Sequence, residues 1–314
     1  MSAVLAVGAF LLGVVIVVWS TERLLDGMVG LAALLRAAPF VIAAIFSGLE
    51  AENIAVGIVA AGSGNVDIAL GTVFGGGSFL VCVALGLAAV LFPLRVRLPR
   101  GVLVLFAVTP LLSGLALIGG ATSRLAGVTL LIGFAASMAY LVRVSRRHDF
   151  LGAEAAEVLE TGPPTRWWHS IGLTVLGLAV IAVGAELVNY GAEHIIARFS
   201  FPAALMGMVI TPAAIEAEEV IRQAVPSKEG RHDVAAGNLV GTLLYFVLFN
   251  LGLIALATPI SVPDRVVVLD WPFLIAVTWL ATAFLWFGRL TRRHGATLLV
   301  LYAGYVLTHV LLGA

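Results

Sequence analysis

The chain has 314 residues, 61% of them hydrophobic and 11% charged, with 18 basic residues against 18 acidic ones and a mean hydropathy of +1.08. A soluble domain carries about 25% charged residues. A soluble globular fold, a disordered chain and a nucleic-acid binder are therefore excluded, and an all-α integral membrane protein remains. The single cysteine, Cys82, lies in an apolar run and gives neither a disulfide framework nor a thiolate metal site.

A transmembrane helix needs roughly 20 mainly apolar residues. The sequence predicts ten, over 3–35, 39–61, 67–91, 102–118, 123–143, 170–196, 203–224, 233–256, 272–287 and 295–312. The first has no basic leader and no small-residue cleavage site, so it reads as a retained span. The one long polar connection, 144–169, carries Arg146, Arg147, Glu154, Glu157, Glu160 and the Pro163-Pro164 pair. It divides the chain into a first five-helix repeat (1–143), a cytoplasmic linker (144–169) and a second five-helix repeat (170–314). With both termini outside, 14 Lys and Arg fall on cytoplasmic connections and three (Arg124, Arg198, Arg265) on outer ones, as the positive-inside rule requires. Asp67 and Asp233 precede the third and eighth spans and read as helix N-caps. Trp167, Trp168, Trp271 and Trp286 fit an interfacial aromatic belt.

Shifting the chain by 166 residues lays Glu50-Ala51-Glu52-Asn53 on Glu216-Ala217-Glu218-Glu219 without a gap. At the same shift Asp67 falls on Asp233, Gly71 on Gly237, Gly75 on Gly241 and Pro93 on Pro259. Two copies of five spans each enter the membrane in opposite directions, which is the inverted-repeat construction of many secondary transporters. Their sites lie near the midplane where the copies meet, and here the acidic motifs occupy that position.

The carboxylates are too expensive to be incidental. A charge at a helix centre costs ~2.5–3.5 kcal/mol on insertion scales, so Glu50, Glu52, Glu216, Glu218 and Glu219 together would cost roughly 12–17 kcal/mol if ionised and unpaired. No Lys or Arg lies between Arg36 and Arg95, while Arg222 sits one turn beyond Glu218 and Glu219 and is positioned to pair with either. Residues i and i+3 share a helix face, which groups Glu50 with Asn53 and Glu216 with Glu219. Gly48 and Pro212 invite local unwinding, which would add carbonyl oxygens. Carboxylates, an amide and carbonyls make a hard-oxygen site that suits Ca²⁺ first, then Mn²⁺ or Mg²⁺. No His/Cys set for zinc or copper accompanies it. The predicted ligands are Glu50, Asn53, Glu216 and Glu219, with Glu52, Glu218 and Thr242 around them.

These segments resemble the α-repeats of the calcium/cation antiporter superfamily, which includes the sodium/calcium exchangers. That family carries Gly-Thr-Ser-x-Pro-Glu, then Ala-Leu-Gly-Asn-x-x-Gly-Ser-Asn at the start of the next helix. Here the second element reads Ala69-Leu70-Gly71-Thr72-Val73-Phe74-Gly75-Gly76-Gly77 in one copy and Ala236-Gly237-Asn238-Leu239-Val240-Gly241-Thr242 in the other. In this alignment the family's ligand Glu falls on Asn53 and Glu219, its motif Ser on Glu50 and Glu216, and its motif Pro on Glu52 and Glu218. Its downstream Ser falls on Gly76 and Thr242. Hydroxyls that help form sodium sites in the family are replaced and carboxylates are gained, which favours protons over sodium as the exchanged ion.

The resemblance implies a secondary antiporter, not an enzyme, with no cofactor. It would exchange a divalent cation for H⁺ or Na⁺ by alternating access in a prokaryotic cell membrane, with the lipid bilayer and inorganic cations as its partners. A divalent-cation channel or uniporter on the same scaffold, and a non-transporting relative, are the alternatives. An intramembrane enzyme would need a His-Glu-x-x-His or a nucleophile with its base, and neither is present.

Overall fold

The computed structural model describes residues 3–34, 50–117, 119–148 and 167–313. The first part of the second expected span (39–49) and most of the linker (149–166) lie outside the described residues. The helices are α1 (Ala3–Leu34), α2 (Ala51–Gly62), α3 (Val66–Leu91), α4 (Arg100–Leu117), α5 (Arg124–His148) and α6 (Trp167–Phe199). They continue as α7 (Ala203–Ile215), α8 (Ala217–Lys228), α9 (His232–Ala257), α10 (Val266–Trp286) and α11 (Arg292–Gly313). Eight are long and apolar enough to cross a membrane, and α2 and α7 are shorter apolar helices. Among the described residues the β contacts are two isolated bridges, Leu94 with Leu290 and Ala121 with Ser261.

The 166-residue spacing recurs in the helix ends. Ala51–Gly62 becomes Ala217–Lys228 and Val66–Leu91 becomes His232–Ala257, each by adding 166 to both limits. The intervening turns match too: Gly64 and Gly230 take φ of +84° and +77°. An L-residue there would press its Cβ on the following carbonyl at a cost of roughly 1–2 kcal/mol, so glycine permits the sharp reversal that sets α2 beside α3 and α8 beside α9.

Burial identifies the centre. In α3 and α9, 83% and 78% of the most apolar stretch is buried, against 22–50% in the other six long helices. Around this pair the outer helices carry large apolar side chains on their outward faces, among them Leu11, Val15 and Trp19 on α1, Ile132 on α5, Val175, Leu176 and Val183 on α6, and Val300 and Leu311 on α11. Apolar exposure on this scale marks contact with lipid.

Small residues set the approaches. A Cβ on Gly71 would lie 1.9 Å from the Gly207 carbonyl oxygen, and one on Gly75 2.4 Å from that of Met208, so α3 and α7 cross backbone to backbone. Helices α1 and α6 use the same device over their length. Gly191 meets Phe10, Gly13 meets Val188, Gly177 meets Leu24 and Gly27 meets Thr174, so the pair runs antiparallel. Close contact through small residues replaces the hydrophobic drive that lipid removes.

Three expectations change. The span expected over 203–224 is interrupted at Glu216, where α7 ends and α8 begins. The ninth span begins at Val266 and not at 272, because Asp270 is buried inside the bundle. Its Oδ1 accepts from the Tyr305 hydroxyl at 2.7 Å and lies 3.0 Å from His309 Nε2. Neither Asp67 nor Asp233 caps a helix: Asn65 and Arg231 precede α3 and α9, and the Asp67 carboxylate takes Arg265 as its partner.

Candidate functional site

Glu50 and Glu216 are the residues immediately before α2 and α8. Glu216 interrupts the helix with φ −82° and ψ 6°: its N–H still donates to the Pro212 carbonyl at 2.7 Å, and its own carbonyl accepts from Glu219 N–H at 3.0 Å. Glu50 has φ −91° and ψ 68°, and its carbonyl accepts from Ile54 N–H at 3.1 Å. Both acids therefore sit at the positive end of the helix that follows, where the helix dipole favours an anion.

The starts of α2 and α8 meet. Asn53 Nδ2 on α2 donates to Glu216 Oε1. Arg222 Nη1 on α8 donates to Glu50 Oε1 at 3.1 Å and to Glu219 Oε1 at 2.8 Å, while its Nη2 donates to Glu218 Oε1 at 2.7 Å. Asn238 on α9 donates to the other oxygen of Glu219 at 2.9 Å, and Thr242 lies one turn further on, its hydroxyl 3.4 Å from Asn238 Oδ1. Glu52 is buried within electrostatic reach of Glu50, Glu216 and Arg222.

Glu50, Glu52, Asn53, Glu216 and Glu219 are each at most 1% exposed. Despite that burial, Glu50 Oε2, Glu52 Oε2, Asn53 Oδ1 and Glu216 Oε2 have no partner among the described residues, and neither end of the buried Gln223 amide has one. Buried polar atoms are ordinarily satisfied, and here several carboxylate and amide oxygens without partners lie together. Among the described residues no three Asp, Glu, His or Cys side chains are drawn around one point as a metal cage. A guanidinium and two amides hold the acids in this arrangement.

A second polar group adjoins the first. Asn250 on α9 donates to Thr72 Oγ1 on α3 at 3.1 Å, and both face Gly57, one turn beyond Asn53. Four of the five long-helix and half-helix segments that wind locally as π turns lie on α3, α7 and α9, at Gly71–Gly75, Leu80–Ala84, Met206–Ile210 and Tyr245–Asn250. Such turns are frequent at functional sites.

The acids singled out by the sequence lie together here, and three further side chains join them. Arg222, which the sequence places beside Glu218 and Glu219, also reaches Glu50, 172 residues away. Asn238 lies 166 residues after Thr72, within the quoted glycine motif, and that position was its available signal. Asn250 sits in an apolar run with no pattern to betray it. Thr242 touches Asn238 and no carboxylate. Glu218 faces Arg222 at the rim, 26% exposed.

The family model for the sodium/calcium exchanger protein matches residues 5–143 and 169–311. The chain belongs to the sodium/calcium exchanger family. It is a membrane protein of an antiporter family, built of helices. Among relatives of this exchanger, CaxA of Alkalimonas amylolytica, named as a candidate antiporter, is 28% identical over 94% of this chain and 95% of its own. The inner membrane protein YrbG of Escherichia coli is 24% identical over 90% and 89%. The fold is that of the sodium-calcium exchanger NCX_Mj: a structure soaked with Na⁺ and Ca²⁺ superposes with a TM-score of 0.56 at 20% identity, covering 97% of this chain and 98% of that one.

Proposed function

We propose that this exchanger carries a divalent cation, Ca²⁺ first with Mn²⁺ and Mg²⁺ as alternatives, against H⁺ or Na⁺ by alternating access. One observation carries the reading. Acids from two distant stretches of the chain meet at the starts of α2 and α8, and the oxygens left there without partners among the described residues are carboxylate and amide oxygens. Such hard donors suit a divalent cation of this kind. Glu50, Glu216 and Glu219 supply the charge, Asn53 an amide oxygen, and Glu52 and Glu218 flank the path. Protons are favoured as the exchanged ion, because clustered carboxylates trade protons for a divalent charge.

We read the chain as ten membrane segments in two oppositely inserted halves, 1–143 and 170–314, joined by 144–169. The 166-residue identity of helix limits and the antiparallel α1–α6 pair support this arrangement. The positive-inside count also survives the removal of Arg222 from the loops, at 13 against three. In both halves the acid-bearing helix pairs with a buried central one, α2 with α3 and α8 with α9.

The test is Ca²⁺ uptake into proteoliposomes driven separately by outward H⁺ and outward Na⁺ gradients. Uptake with either gradient supports exchange, and its dependence on H⁺ or Na⁺ identifies the counter-ion. Uptake that proceeds equally with no outward gradient refutes exchange and indicates a channel. No uptake of Ca²⁺, Mn²⁺ or Mg²⁺ under any gradient refutes divalent transport.

A further inference from the structure

We propose that Arg222 is a tethered cation that competes with the transported ion for Glu50 and Glu219, and so sets the site's affinity and its preference for divalent over monovalent ions. The inference rests on the ion-site reading above and names the residue that regulates it.

The geometry gives the guanidinium two roles at once. Nη1 reaches into the sealed part of the cluster, onto Glu50 (1% exposed) and Glu219 (0%). Nη2 stays on Glu218 at the rim, where Arg222 and Glu218 are 32% and 26% exposed. The two buried acids belong to different copies of the motif, and Nη1 occupies one oxygen of each. A cation that draws on those two oxygens needs Nη1 to withdraw, since like charges on one carboxylate pair repel.

Glu218 provides the place to withdraw to. It sits four residues before Arg222 on the same helix, and its bond to Nη2 is independent of the other two. The arginine can thus release Glu50 and Glu219 without becoming an unpaired charge, and its partial exposure keeps the swing cheap in desolvation. This gives Glu218 a function distinct from that of Glu219 beside it.

Charge balance then discriminates between ions. A monovalent ion that displaces the guanidinium replaces one positive charge by another and leaves the cluster as it was. A divalent ion adds a charge among carboxylates whose remaining oxygens, Glu50 Oε2, Glu52 Oε2 and Glu216 Oε2, have no partner among the described residues. The same competition means that ion release does not leave Glu50 and Glu219 bare.

The experiment is equilibrium binding of radioactive Ca²⁺ to the purified full-length protein. Arg222→Ala is expected to bind at least tenfold more tightly than wild type, equivalent to about 1.4 kcal/mol. Millimolar free guanidinium should reverse that gain in Arg222→Ala and leave wild type unchanged. Glu218→Ala, which removes the holding partner, should weaken Ca²⁺ binding several-fold. Arg222→Lys serves if the alanine variant does not stay monodisperse: one ammonium cannot fork across three acids, so tightening of several-fold is expected. Equal or weaker binding in the folded Arg222 variants, with no effect of guanidinium, overturns the competition and leaves Arg222 a structural pin. Absence of divalent binding in wild type and every variant overturns the ion site itself.

Discussion

Glu216→Gln separates the charge of the cluster from its architecture. The Glu216 carboxylate makes one protein hydrogen bond, accepting from Asn53 Nδ2 at Oε1, while Oε2 is buried without a partner among the described residues. Glutamine keeps the acceptor for Asn53 and puts its amide nitrogen where the partnerless oxygen was. Because the site is buried and the amide nitrogen finds no acceptor there, its effect on folding should be about 1 kcal/mol. Glu216→Ala strands the buried Asn53 donor and should cost about 1–3 kcal/mol. For ion binding the two variants converge, because glutamine already removes the formal charge. Bonds to charged groups contribute ~1.5–3 kcal/mol against ~0.5–1.5 for neutral ones, so exchange at sub-saturating Ca²⁺ should fall roughly tenfold or more. Thermal unfolding followed by tryptophan fluorescence, beside flux in proteoliposomes, gives both numbers. Wild-type flux in Glu216→Gln removes Glu216 from the ion path. Destabilisation as large as that of the alanine variant would mean that the charge, and not the bond to Asn53, holds the starts of α2 and α8 together.

Gly71→Ala places a methyl 1.9 Å from the Gly207 carbonyl oxygen, a backbone atom that cannot step aside; thermal stability should drop by about 1–3 kcal/mol or more, and an unchanged melting temperature would show that α3 and α7 cross less closely. Asp270→Ala removes the shared partner of Tyr305 and His309 and sets Arg265, 3.8 Å from Oδ2, against Asp67 alone. Breaking a buried pair of this kind costs about 3–5 kcal/mol, and the loss should appear in unfolding with purified protein. Gly64→Ala and Gly230→Ala each force a side chain into left-handed backbone at φ of +84° and +77°. Each should destabilise by about 1–2 kcal/mol, similarly for the two turns, and a marked difference between them would argue against their equivalence.

Composition and period carried the fold far. Long apolar runs leave few choices, and an ungapped shift of 166 residues marks the same equivalences that the helix limits of α2, α3, α8 and α9 obey. The acids of the site were legible for a related reason, since a charge in an apolar run demands an explanation. What the sequence hid is contact over distance. Arg222 lies one turn from Glu218 and Glu219, so those pairs can be anticipated, but its bond to Glu50 joins residues 172 apart and depends on how α8 meets the start of α2. The late start assigned to the ninth span had the same origin. Asp270 looks like a loop residue until Tyr305 and His309, 35 and 39 positions later, are seen to receive it. Short polar side chains such as Asn250 gave no signal, because one amide in an apolar helix has no periodicity of its own.

The bond between Arg222 and Glu50 also constrains how the protein is made. Translation runs at about 5–20 residues per second, so Glu50 leaves the ribosome roughly 10–30 s before the guanidinium that will face it. Asn53 waits almost as long for Glu216, and the stretch from Arg36 to Arg95 offers no cation in the meantime. The cluster therefore forms only once α8 has been made, when Glu216 and Arg222 reach Asn53 and Glu50.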